Sequence, residues 1–226
     1  GIAQSSGALV VTTDADCTVP NAWLMHIAAI FEQRDAMMVV APVIYKSRRK
    51  VLEIFQLIDF MSMQGITGAA HALKLGNMSN GANLAFGRSA FEQVQGYEGI
   101  LDLASGDDFL LMMKMNDVAP DKIAYLKSVN AAVTTLPQPT WWALLQQRIR
   151  WASKSGKYKD HRLTAILVLV YFFNLLVAVL AVGSLFHPAF VFTCYSVFAI
   201  KTAVEFWFLR PVARFFHTDW VLIWFP

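Results

Sequence analysis

The chain has 226 residues, 56% of them hydrophobic and 15% charged, with a mean hydropathy of +0.45. That length allows one to two domains, and so much apolar surface excludes an intrinsically disordered chain. A net charge of +3, without a basic stripe interleaved with aromatics in the N-terminal part, leaves no case for a nucleic-acid partner.

Two cysteines, Cys17 and Cys194, fit neither a disulfide framework nor a thiolate zinc site. The polar, small first residues do not read as a signal peptide. Charge is unevenly placed: residues 1–162 carry 16 Lys/Arg and 14 Asp/Glu, whereas residues 163–226 carry three and two. A normally charged globular part is followed by a strongly apolar tail, which argues against a purely soluble protein.

Residues 8–13 (ALVVTT) are short, apolar and β-branched and predict a buried strand ending at Asp14. Asp14-Ala15-Asp16 follows directly. Two carboxylates two residues apart at a strand end suit a hard divalent cation whose remaining positions go to water and phosphate oxygens. The same residues also fit a turn or a helix N-cap ahead of Pro20. Trp23, Leu24, Ile27, Ala28 and Phe31 have helical spacing, residues 37–43 form a strand-like run, and residues 51–67 again have helical spacing. Residues 83–86 read as a strand. Alternation of strand and helix predicts an α/β layered domain with mainly parallel strands, its ligand site past the strands' C-terminal ends.

Gly106-Asp107-Asp108 opens a helical run through residues 109–115. Carboxylates in a first helical turn are favoured by the macrodipole, so an ordinary cap is one reading. A general base held at a cleft, taking a proton from an attacking hydroxyl, is the other. Further on, Gln146-Gln147-Arg148-Ile149-Arg150-Trp151 combines guanidinium forks suited to diphosphate oxygens with a flat ring on which a sugar can stack. It equally fits a basic amphipathic helix at lipid headgroups.

Residues 163–183 hold no formal charge and, at about 1.5 Å per residue, match the roughly 30 Å core of a bilayer. Residues 189–209 are a second candidate span, in which Lys201 and Glu205 lie four apart and can pair. A third begins near residue 219. Arg148, Arg150, Lys154, Lys157, Lys159 and Arg162 precede the first span, and Arg210 and Arg214 follow the second. The positive-inside bias therefore places the globular part in the cytoplasm, at the inner face of a cell membrane. Trp141, Trp142 and Trp151 beside this basic cluster predict an interface helix over 141–162.

In order and spacing, TDADC (Thr13 to Cys17), NGANLAF (Asn80 to Phe86), GDD (106–108) and QRIRW (Gln147 to Trp151) resemble the membrane-bound family 2 glycosyltransferases. That group includes the cellulose, chitin and hyaluronan synthases. The resemblance implies a GT-A (Rossmann-like) α/β domain over residues 1–140, the interface helix over 141–162, and a transmembrane region over 163–226. It implies Asp14 and Asp16 as ligands of Mg²⁺ or Mn²⁺, Asp108 as the base and Asp107 as a helix cap that orients it. Gln147, Arg150 and Trp151 would line the donor diphosphate and the acceptor end, and Gly81 and Asn83 would shape the acceptor pocket. Asn-Gly is also a plain hairpin turn. The implied partners are a nucleotide-sugar donor (a UDP-sugar), a lipid or glycan acceptor, and the membrane.

In the family a nucleotide-binding half precedes the D-x-D, whereas thirteen residues precede Asp14; the expectation is an N-terminally truncated fragment. Two alternatives stand beside this reading. Asp14-Ala15-Asp16-Cys17-Thr18 fits the D-x-D-x-T of haloacid-dehalogenase-like phosphatases, with Asp14 as nucleophile and Asp16 as acid/base. Residues 100–105 read as loop there, where such a phosphatase needs a strand before its G-D-D. The other alternative is a non-catalytic membrane subunit.

Overall fold

Among the described residues each strand is only three or four residues long, so its place in a sheet depends on what flanks it. The structure, a computed structural model, describes residues 2–74, 78–99, 106–152 and 161–226. They fall into two compact units, Gly1–Leu145 and Gln146–Pro226.

In the first unit the expected strand is β1 (Leu9–Thr12), followed by α1 (Trp23–Gln33). The run 37–43 becomes two strands, β2 (Met38–Val40) and β3 (Val43–Tyr45). Pro42 has no N–H to give a ladder, so pairing breaks there and the chain passes from one sheet to another. Next come α2 (Val51–Ala72), β4 (Leu84–Gly87), α3 (Arg88–Gln93), α4 (Asp107–Val118), β5 (Ile123–Tyr125) and β6 (Val133–Thr135). The unit ends within α5 (Trp141–Ala152).

The larger sheet has the order β1-β4-β2-β5, and β3 pairs with β6 separately. Only β2–β5 and β3–β6 are parallel; β4 runs antiparallel to both of its neighbours. The expectation of mainly parallel strands is therefore corrected to a mixed sheet. Leu-Ala-Phe-Gly is buried along its whole length, and a strand buried on both faces reads the same in either direction. Its direction is set by the turn that delivers it, Gly81–Asn83, where the Asn80 side chain accepts from the Ala82 N–H.

Helix α4 packs on this sheet through Leu111, Met112 and Met115, which are fully buried against Met38, Leu84 and Phe86. Each such side chain contributes about 1.5–3 kcal/mol by leaving water. The packing holds the α4 N-terminus, with its two aspartates, beside the start of β4.

The second unit holds the rest of α5, α6 (His161–Gly183) and α7 (Pro188–Phe215). Among the described residues, α7 is the one helix long and apolar enough to cross a membrane; the apolar stretch Val168–Gly183 of α6 is shorter. Lys201 and Glu205 pair on α7 at 2.5 Å, as their spacing predicted. The expected third span is instead a 3-10 helix, Asp219–Trp224, folded back on α7 with Val221 buried and the Thr218 N–H on the Ala213 carbonyl. Val221 and Ile223 are β-branched and Pro226 follows closely, all poor α-helix material. Of the predicted basic cluster, Lys154, Lys157 and Lys159 lie outside the described residues.

Candidate active site

Strand β1 ends at Thr12, and Asp14 opens a turn closed by the Cys17 N–H on the Asp14 carbonyl at 3.1 Å. On its far side the turn is tied to β6, because Thr18 and Thr134 exchange both backbone bonds at 2.7 and 2.9 Å. Asp14 and Asp16 are exposed, and one ligand atom from each lies within 4.8 Å of the other and of the Cys17 sulfur. Two carboxylates on a clamped turn are a donor set suited to a hard divalent ion. Cys17, a soft sulfur donor, is a poor third ligand for such an ion. Burial raises its thiol pKa first, and the charges of Asp16 and Asp14 raise it further. The protonated thiol donates weakly to Asp16 at 3.8 Å.

Asp108 sits in the first turn of α4. The N-cap is Gly106 at φ 98°, a left-handed conformation that glycine adopts without strain, and no side chain caps the helix. Asp107 therefore does not act as the cap expected for it. It is exposed at the first helical position, where its charge still meets the helix dipole favourably. Asp108 is half-buried and accepts the Gly81 backbone N–H on Oδ2 at 2.7 Å. Gly81 in turn accepts the Thr12 hydroxyl on its carbonyl oxygen at 2.9 Å. The backbone of one residue thus joins the base candidate to the strand that ends two residues before Asp14. A Cβ on Gly81 would lie 3.4 Å from the Asp108 Cβ, an ordinary contact, so the two residues pack closely here. Tyr97 also feels this corner: burial raises its hydroxyl pKa first, then the charges of Asp107 and Asp108.

Asn83, expected at the acceptor pocket, has its side chain committed within the protein. It is fully buried; its carbonyl oxygen accepts the Trp23 indole N–H at 2.9 Å, and its amide donates to the carbonyls of Pro42 and Ala131. Both amide protons are taken within the protein, so Asn83 frames this corner, and Gly81 is the one of the pair that meets Asp108. Thr12, Trp23 and Thr134 complete the frame. None of the three stands out in the sequence, where Thr12 reads only as a β-branched strand residue.

The QRIRW segment lies on α5 in the second unit. Helical spacing puts Gln147, Arg150 and Trp151 on one face. The Trp151 ring carries the guanidinium of Arg148 at 4.5 Å. The Gln147 Oε1 atom is buried and has no hydrogen-bond partner among the described residues.

A comparison with curated proteins found no match. The family model described as "Glycosyl transferase family group 2" matches residues 9–222, from the first residue of β1 to within the last 3-10 helix. A match of that extent sets aside both the phosphatase role for Asp14 and the non-catalytic subunit. Enzymes of this family join a nucleotide-sugar donor to an acceptor. The chain belongs to glycosyl transferase family group 2 and is a glycosyltransferase.

Proposed function

We propose that this glycosyltransferase inverts the anomeric centre, with Asp108 as the general base, and works at the cytoplasmic face of a membrane on a lipid or glycan acceptor. The observation that carries the reading is the Gly81 backbone, whose N–H and carbonyl tie Asp108 to the end of the strand that leads into Asp14 and Asp16. With Oδ2 occupied by the Gly81 N–H, the other carboxylate oxygen is left to take the acceptor proton. The acceptor oxygen bonds to the anomeric carbon as the bond from that carbon to the donor phosphate breaks, and the electron pair leaves with the nucleoside diphosphate. Asp14 and Asp16 would hold Mg²⁺ or Mn²⁺, which when bound supplies positive charge to the diphosphate oxygens. Arg150 adds a guanidinium suited to the same oxygens, Gln147 a polar contact, and Trp151 a stacking face for the sugar. A UDP-sugar is the donor we favour.

The membrane reading rests on α7 and on α6, most of whose described apolar side chains between Ile166 and Val182 are exposed, Leu180 being buried. A helix apolar all round belongs in lipid or in a core. The test is nucleoside diphosphate release from a panel of sugar nucleotides by the membrane-embedded protein, with Mn²⁺ or Mg²⁺. Asp108→Asn is expected to lower turnover by about 10²–10⁴-fold while the fold is kept. Unchanged turnover would remove the base assignment.

A further inference from the structure

We infer that residues 46–55 and the start of α5 form one surface that seats on an anionic lipid bilayer, an attachment separate from the apolar helices. The inference rests on the membrane reading above and deepens it by naming the lipid. Four of the five residues 46–50 are cationic: Lys46, Arg48, Arg49 and Lys50, all exposed. They are set by a fixed turn. The Ser47 hydroxyl accepts the Arg49 N–H at 3.0 Å, Arg49 lies at φ 66°, and Glu53 reaches back from the first turn of α2 to the Arg48 N–H. Glu53 is the one carboxylate in residues 46–55, so the segment keeps a strong positive excess.

Directly behind the cations stand Val51 and Phe55, 69% and 50% exposed. The start of α5 adds Trp141 and Trp142, 57% and 67% exposed, and the Trp141 ring packs on Phe55 at 5.4 Å. This contact is built in. Gln56, wholly buried on α2, exchanges two hydrogen bonds with the backbone of Gln138, its amide donating at 3.0 Å and its carbonyl oxygen accepting at 2.8 Å. That pair fixes the approach to α5 against α2, so the aromatic rings are held beside the basic turn. Exposed indole and phenyl rings next to lysine and arginine match the headgroup layer, where rings sit at the polar boundary and cations meet lipid phosphate. Free phosphate or a nucleotide would use the cations and leave the four apolar side chains in water.

The full chain would be placed in lipid nanodiscs of pure phosphatidylcholine or with one third phosphatidylglycerol. A bimane label is carried at Val51→Cys, or at Glu92→Cys on α3 as a control, with Cys17 and Cys194 changed to Ser. Quenching by lipids with a nitroxide near the headgroup is expected to halve the position-51 signal or better in anionic discs. Position 92 should be spared, and the effect should vanish with R48E/R49E/K50E or without phosphatidylglycerol. Quenching by aqueous iodide instead, equal quenching in both discs, or protection only by an added ribo-oligonucleotide would each overturn the inference. Entry of the chain into discs is read separately, so a failed patch and a failed membrane reading give different results.

Discussion

Thr12 shows how much a single hydroxyl can organise. It donates to the carbonyl of Gly81, the residue whose N–H holds Asp108, so its loss loosens the base without touching substrate. One neutral hydrogen bond contributes about 0.5–1.5 kcal/mol. Thr12→Val is therefore expected to lower kcat by about threefold to tenfold with little change in donor KM, and Thr12→Ser to restore it. A purely structural role would change the thermal midpoint without this split. The D-x-D turn allows a second test. Asp16→Asn should weaken Mn²⁺ binding by about tenfold or more, read by calorimetry. Cys17→Ser should change it far less, because a hard divalent ion favours carboxylate oxygen over sulfur. Chelation with EDTA is expected to stop nucleoside diphosphate release, and added Mn²⁺ to restore it.

At the scale of elements, α2 carries a pH-sensitive end. His71, in its last turn, contacts the Met78 carbonyl at 2.9 Å and stacks on Tyr125 at 5.4 Å. Burial lowers its pKa below the ordinary 6.5, an effect only partly offset by that carbonyl. Burial likewise pushes Tyr125 up to about 12, so that ring stays neutral. The unfolded chain then binds a proton more readily than the folded one. Stability from this group is complete above about pH 6.5 and is lost as pH falls from there toward the lower folded value. Thermal midpoints measured from pH 7.5 to 5 should drop through that window, and His71→Gln should flatten the drop. Much of this level was legible beforehand. β1, α1, α2 and the opening of α4 follow from β-branched runs, helical spacing and first-turn acids. β5 and β6 went unseen because three-residue strands carry no period, and the break at Pro42 split a run that hydrophobicity alone makes continuous.

Across the whole first unit, Asn83 is where the segments meet. It joins α1 through Trp23, the β2–β3 corner through Pro42, and the turn before β6 through Ala131. Asn83→Leu should destabilise the protein by on the order of 3 kcal/mol, because it leaves a buried indole N–H and two carbonyls unpaired. The expected result is a lower denaturation midpoint, with activity lost in step with folding. In the second unit the Lys201–Glu205 pair shows how an ionisable residue is carried on an apolar helix, four residues from its counter-ion.

The chain's own order of residues determined the α/β alternation, the apolar character of α6 and α7, the carboxylate pair after β1 and the glycosyltransferase resemblance. All of these are local patterns with a period, a composition or a short motif. Tertiary structure alone decided that β4 runs antiparallel, and that Asn83 is a frame and Gly81 the contact to Asp108. These depend on which polar groups meet across 69, 27 and 60 positions of chain, as with Thr12 to Gly81, Gly81 to Asp108 and Trp23 to Asn83. Hydrogen bonds at such separations leave no periodic mark, because each is satisfied by a partner that only folding brings near.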